Sequence, residues 1–374
     1  MTLLEKNTMD QSALFINYSR QKMKTIFYST FLSLVIAFGS IAQQEYQFAN
    51  SAFNPYLLNP AAGGLTDVAQ FDVMARTQWL GYDGAPRTFL VSGTSQLNFS
   101  PTGGLSEFNV RDEALFKSPK VTIGKSKHVV GGKMWSDAIG PFAKTSIQMS
   151  YAYHIPLSRD LNIGAGLGLG YSHFRLDPSK VVLYQENDPT FNQFLGGTTQ
   201  QSIFDAQAGL VLYGKNVFLG LSTTQAFKNQ VRLNNVALES NFNRHYFIVA
   251  KYRIDVNDIL AIEPMVVFKF AQHSPMSADF GARFTMNQNI WFGLQYRTNN
   301  ALVFNFGGNI IKNLYLNYSY EQSVGRISTA GNGSHEIGIG YYLGKNRNVA
   351  KELRQNKKAG ETEVKEEKEV EKKQ

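Results

Sequence analysis

The residues that could carry chemistry are few, and their spacing suits no familiar reaction. The six histidines stand at 128, 154, 173, 245, 273 and 335. None lies at a metal-ligand interval from another or from a carboxylate cluster. There is no Gly-x-Ser-x-Gly elbow, no phosphate-cradling loop and no paired-carboxylate motif. A serine–histidine pair assembled only in space leaves no spacing to read, so that single route to catalysis stays open here. The absence of Cys excludes a disulfide scaffold and a thiolate metal site but does not fix the compartment. Catalysis, metals and cofactors are therefore not expected. The remaining chemistry is ionic, carried by Asp72 with Arg76, Glu263 with Lys269, Asp279 with Arg283, and Arg297. Turned into a lumen, mixed charges pair and brace whatever lies inside, or they line a weakly selective pore. Bracing is the favoured reading.

Positioning such residues requires strands. In Arg87 to Phe99, Phe89, Val91, Leu97 and Phe99 fall on one side, and Thr88, Ser92, Thr94, Gln96 and Asn98 on the other. In Lys144 to Ile155 the apolar set is Thr145, Ile147, Met149, Tyr151, Tyr153 and Ile155. Successive side chains of a strand point to opposite faces, so each segment is a strand with one apolar and one wet face. Further segments of this kind lie near 68–79, 128–136, 161–175, 202–213, 216–225, 244–254, 259–270, 277–286, 289–298, 301–312, 313–322 and 334–343. Most are about ten residues long, enough for a tilted strand to cross a bilayer.

The connections sort by parity. Joins after even strands are tight, at 156–160, 214–215, 255–258, 287–288 and 312–313, whereas 176–201, 226–243 and 323–333 after odd strands are long. Short turns at one end and long loops at the other predict an all-β, antiparallel, up-and-down transmembrane barrel of about 14 strands over 68–344. The join 100–127 breaks the rule, which means an insertion on the short-turn side or a miscounted strand. The 18 Tyr and 27 Phe suit interfacial girdles. Glycines at 164, 166, 168 and 170 clear one face of a single strand, as a bend or a closely packed inner element requires.

Both flanks differ from the barrel. Lys22 and Lys24 precede an apolar stretch over 26–38, and Ser40-Ile41-Ala42 offers small residues to a signal peptidase. Residues 1–42 are read as a signal-peptide region with cleavage after Ala42 and Met23 as a candidate initiator. An uncleaved anchor is disfavoured because the stretch is shorter than a membrane span. Residues 345–374 carry ten Lys or Arg and seven Asp or Glu. They cannot bury a core and are expected to form a charged, disordered tail that solubilises the chain or tethers a periplasmic partner. Residues 43–344 carry 23 basic and 20 acidic residues, so no basic face marks a nucleic-acid partner. A signal peptide together with membrane-crossing strands puts the mature protein in a Gram-negative outer membrane, and an even strand number puts both ends of the barrel on the same, periplasmic side.

Residues 43–67 form a periplasmic or plug segment. It contains Phe53-Asn54-Pro55-Tyr56-Leu57-Leu58-Asn59-Pro60-Ala61-Ala62-Gly63, whose two Asn-Pro pairs favour turns and whose apolar residues need burial. This run resembles the opening motif of the PorP/SprF-type outer-membrane proteins of the type IX secretion system in Bacteroidota. Arg76-Thr77-Gln78-Trp79-Leu80-Gly81-Tyr82-Asp83-Gly84-Ala85-Pro86-Arg87-Thr88 resembles the family's second motif, and Gly333-Ser334-His335-Glu336-Ile337 its closing strand. The likeness spans about 48 to 343, and the 100–127 stretch and the tail look like departures from the family pattern. The resemblance implies a role in export of large surface proteins or in gliding motility. It implies other secretion components as partners, together with adhesins carrying the type B C-terminal signal, and no enzymatic activity. It also implies a partner or anchor, since the family's translocation pore is a different, larger barrel.

Three motifs have competing readings. Gly81 to Pro86 is a partner-contact loop or a tight reverse turn, and Asp83-Gly84 and Ala85-Pro86 favour the turn. His335 and Glu336 point to opposite faces, so Glu336 is expected to be the lumenal partner of an Arg. Loop Pro178–Gln201 carries Tyr184, Phe191 and Phe194, which serve as interface anchors or pack on the rim. The alternative function is a passive diffusion channel for small solutes.

Overall fold

The computed structural model describes residues 48–66, 68–97, 121, 123–181, 200–227, 230–233, 236–241, 243–271, 274–298, 301–311, 313–324 and 332–343. The signal-peptide region, most of the 100–127 join, the aromatics of 182–199 and the tail lie outside these residues.

Seventeen strands follow one another among the described residues. They are β1 (Ala69–Thr77), β2 (Arg87–Leu97), β3 (Lys127–Ile139), β4 (Phe142–Pro156), β5 (Leu161–Leu176), β6 (Gln200–Gly214), β7 (Val217–Thr224), β8 (Gln230–Leu233), β9 (Val236–Asn241), β10 (His245–Tyr252), β11 (Ile254–Asp255), β12 (Leu260–Ala271), β13 (Ser277–Met286), β14 (Ile290–Arg297), β15 (Ala301–Ile311), β16 (Leu314–Ser323) and β17 (Ser334–Leu343). β8 pairs only with β9, and β11 adds two residues to the end of β12. The other fourteen each pair antiparallel with two neighbours, and β1 pairs with β17 from Ala69↔Leu343 to Thr77↔His335. The sheet therefore closes on itself and leaves no edge. It is a 14-stranded antiparallel barrel, as the alternation and the loop parity predict.

Because β2 and β3 are direct antiparallel neighbours, no barrel strand is miscounted between them, and the 98–126 join connects two adjacent barrel strands at the short-turn end. The long join after β7 is not plain loop: it contains the β8–β9 hairpin. Sequence alternation hid this because the hairpin's strands have only four and six residues.

The faces obey the period of two. Outward residues are apolar and open: Phe71, Val73, Phe89, Val91, Ile147, Leu167, Leu169 and Ile339, with Met149 at 71% exposure. Inward positions hold the buried polar set, including Asp72, Arg76, Ser92, Lys133, Asp279, Arg297, Glu321 and Glu336. This inverts a water-soluble protein and matches a barrel bathed in lipid. No helix among the described residues is long and apolar enough to cross a membrane.

Candidate functional site

The site is the lumen together with residues 48–66, which run inside it. Three 3-10 turns, Ala49–Ala52, Pro55–Leu57 and Pro60–Ala62, build this inner segment. Each Asn-Pro pair starts a turn: Asn54 precedes Pro55 and Asn59 precedes Pro60. Proline at the first position loses no needed hydrogen bond, and the Asn59 side chain caps the last turn by accepting from Ala61 N at 2.9 Å. The first turn packs on β12, β15 and β16, and the last on β4, β5 and β6. The segment therefore crosses the lumen from one arc of the barrel to the opposite one.

At the β5–β6 wall the seat is made of glycine. A Cβ on Gly166 would stand 2.5 Å from Ala61 N, and one on Gly209 would collide with the Asn59 amide. Through this gap Asn59 Nδ2 donates to Leu210 O at 3.0 Å and to Leu221 O at 3.1 Å, and Ser222 Oγ donates to Leu58 O at 2.8 Å. Tyr56 pairs its hydroxyl with Ser150 Oγ at 2.8 Å, and burial pushes its pKa up to about 12 although this hydrogen bond opposes the shift. Lys133 Nζ donates to Leu57 O at 2.9 Å, and Lys127 Nζ to Gly64 O at 2.6 Å. Phe48 and Leu57 bury against Met74, Leu90 and Trp135. Each such side chain contributes about 1.5–3 kcal/mol on full burial.

At the opposite wall the seat is ionic. Glu336, fully buried, accepts from Ala49 N at 2.6 Å and Asn50 N at 3.1 Å, and meets Arg76 Nη1 at 3.4 Å. Arg76 continues to Glu321 at 3.0 Å, Glu321 to Arg297 at 2.7 Å, Arg297 to Asp279 at 3.1 Å and Asp279 to Lys269 at 2.7 Å. Three carboxylates alternate with three cations, so the chain is neutral and each buried charge meets its opposite. A second cluster joins Glu263 to Arg283 at 3.0 Å and to Lys251 at 3.7 Å. The Arg283 guanidinium lies 4.7 Å from the Phe53 ring centroid.

These partners differ from the charges that share a segment in the sequence. Asp72 does not meet Arg76, nor Glu263 Lys269, nor Asp279 Arg283. Residues four to six apart on one strand are about 13–20 Å apart, so partners come from neighbouring strands. Asp72 instead accepts from Asn54 Nδ2 at 3.1 Å, from Gln70 Nε2 at 2.9 Å and from the Tyr315 hydroxyl.

The motif after β1 is a compact set of turns. Gln78 N donates to Pro86 O at 2.9 Å, and Gly81 and Gly84 take φ of 96° and 70°. Trp79 also has positive φ, at 48°, and its N donates to Ser334 Oγ at 3.3 Å. Leu80 exchanges backbone bonds with Gly333 and Asn332, and Gly140 N donates to Gly84 O at 3.0 Å. Asp83 is exposed and Pro86 is buried. His335 points outward and meets the Tyr318 hydroxyl at 2.7 Å. Gly63 has ordinary extended φ at −67°, and a Cβ there would press on Thr94 and Tyr56 at 3.1–3.4 Å. Sequence reasoning did not single out Lys127, Lys133 or Gln295, whose only signal is an inward parity.

On the short-turn side of the inner segment a cavity of about 990 Å³ opens between Asn54, Tyr56 and Leu65 above and Lys215, Arg253 and Asp258 at the mouth. Among the described residues no group of three His, Asp or Glu could hold a metal. Ser202 Oγ lies 3.3 Å from His173 Nδ1 on the outer face, shared with Tyr171 at 2.7 Å. No carboxylate among the described residues bonds to that histidine.

Comparison with solved structures finds the toluene transporter TbuX of Ralstonia pickettii at 11% identity and TM-score 0.44, covering 79% of this chain and 93% of that one. The toluene transporter TodX of Pseudomonas putida matches at 12% identity and TM-score 0.42, covering 83% and 96%. A FadL homologue of Pseudomonas aeruginosa matches at 9% identity and TM-score 0.39, covering 79% and 93%. None of the curated proteins matches. A match to the family described as type IX secretion system membrane protein PorP/SprF runs over residues 40–341. The inner segment and every barrel strand except the last two residues of β17 lie within that span, and the chain belongs to the PorP/SprF family of type IX secretion system membrane proteins.

Proposed function

We propose that this protein is an outer-membrane accessory component of type IX secretion and gliding motility. It helps to export or surface-anchor large adhesin-like proteins and is not itself their conduit. The observation that carries the reading is the inner segment, bonded to opposite arcs of the barrel through Glu336 at one end and Asn59 at the other. A protein-sized cargo has no passage past it, and a solute channel has no need of it. The segment acts as a plug, and the long-loop end acts as the partner-binding face. Its partners are other type IX components and secreted adhesins, including those with the type B C-terminal signal. Cleavage after Ala42 and periplasmic ends of the barrel complete the topology.

The test is the surface and secreted proteome of cells lacking the gene. Loss of one large adhesin with other cargo intact marks a dedicated partner, and loss of every type IX substrate marks a core component. An unchanged proteome overturns the reading. The cavity favours a diffusion channel as the second reading, and stable high conductance of the purified protein in planar bilayers would decide for it.

A further inference from the structure

We propose that the cavity beneath the inner segment binds a small organic anion, a carboxylate or phosphate head on an apolar body, with Arg283 and Lys251 receiving the head. The starting point is a contrast between two ionic clusters. In the run from Glu336 to Lys269 three carboxylates meet three cations, and that cluster is complete in itself. In the cavity Arg283 and Lys251 share the single carboxylate of Glu263, at 3.0 and 3.7 Å, which leaves this cluster one positive charge in surplus. Both cations are largely withdrawn from water, with side chains 22% and 11% exposed. Arg253, nearer the mouth, is paired with Asp255 at 2.8 Å. Asp72 is held by Asn54, Gln70 and Tyr315 and makes no ion pair with Arg283 or Lys251. A sheltered cation is costly until an opposite charge meets it.

The donors of the two cations are mostly unused. Arg283 makes one hydrogen bond, from Nη2 to Glu263, and its Nε has no partner among the described residues. Lys251 Nζ approaches Glu263 only to 3.7 Å, longer than a hydrogen bond. A guanidinium fork takes two oxygens of a carboxylate or phosphate at once, and an ammonium adds a point charge beside it. The Phe53 ring lies 4.7 Å from the Arg283 guanidinium, and the Phe218 ring 5.1 Å from Lys251 Nζ. These rings favour cations over their faces and hold both groups in position before a ligand arrives.

The neighbouring wall suits an apolar body. Arg283 faces Gly293 across the β13–β14 ladder, and Trp291 stands two residues further along the same face. Trp291, Tyr315 and Tyr342 line the cavity in a row, with ring centroids 6.1 and 4.9 Å apart. Such rings pack against a flat or aliphatic group. The volume of about 990 Å³, at the upper end for ligand sites, holds head and body together. The ligand enters by the short-turn mouth, because the inner segment roofs the other side.

The test is isothermal titration calorimetry of the full-length protein in a non-ionic detergent. The probes are phenylacetate, phenyl phosphate, inorganic phosphate and the neutral phenylacetamide. Phenylacetate and phenyl phosphate should bind at one site, and phenylacetamide at least about tenfold more weakly. Tighter binding of phenyl phosphate assigns a phosphate ester, and tighter binding of phenylacetate a carboxylic acid. Arg283→Gln and, separately, Lys251→Gln should each weaken the better probe by about tenfold. Each variant leaves Glu263 one cation, and retention of the heat-shifted gel mobility of a closed barrel shows that it has folded. Absence of binding by every probe overturns the proposal, as does equal binding of phenylacetamide or an unchanged affinity in both folded variants. Inorganic phosphate binding as tightly as the two aromatic anions overturns the apolar body and with it the ligand class. None of these readouts depends on secreted cargo, so the site stands or falls apart from the role in secretion.

Discussion

At Ala49 and Asn50 the inner segment is held by charge, whereas at Asn59 to Ala61 it is held by the lack of side chains opposite it. The ionic end depends on Glu336 gathering two backbone N–H groups and a guanidinium. The other end depends on Gly166 and Gly209 letting two backbones approach until Asn59 reaches the carbonyls of β6 and β7. The difference teaches where each end is vulnerable. A charge latch fails when one partner is deleted, because the survivors stay buried and unpaired. A glycine seat fails when an atom is added.

The largest effect is expected from Glu336→Ala, which leaves Arg76 with one carboxylate and strands two N–H groups; it should cost about 3–5 kcal/mol. The midpoint of heat-induced loss of barrel mobility on gels would measure it. Gly166→Val is next. Its added carbons meet backbone that cannot rotate away, for about 1–3 kcal/mol of overpacking. It should also displace the segment, read as a rise in ion conductance over the parent. If Gly166→Val stays closed and stable, the glycine seat is not what holds this end. Asn59→Ala removes a turn cap and two donors and should cost about 1–2 kcal/mol, with faster proteolysis at Leu57 and Leu58 as the readout. Tyr318→Phe loses only the outward contact with His335 and should move the midpoint by less than about 0.5 kcal/mol. A larger change there would mean that the outer face shares in bracing the lumen.

How much of this was legible follows from the range of the forces involved. Strands were readable because lipid and lumen impose a period of two on residues such as Ile147, Gln148 and Met149, which need no knowledge of neighbours. Closure followed from loop parity. The glycines at 164 to 170 announced a close approach but could not say that Ala61 makes it. Ion pairing was legible only in part: Glu336 could be assigned to an Arg but not to Arg76, since Arg76 meets Glu321 and Glu336 across 245 and 260 residues of chain and only the register of three strands brings them together. Lys127 and Lys133 look like ordinary inward polar residues until the backbone carbonyls they cap are in place.

The Arg76–Glu336 bond has a further meaning because of where it lies. Arg76 and Glu336 are facing residues on the first and last strands, so their contact sits on the seam of the barrel. The carboxylate that receives Ala49 and Asn50 stands on the final strand, so the latch is complete only once β17 has paired with β1. Until then Arg76 has neither acid, because Glu321 too belongs to the last hairpin. The seam bond thus makes docking of the chain's beginning wait for insertion of its end, and an unfinished barrel is left unlatched.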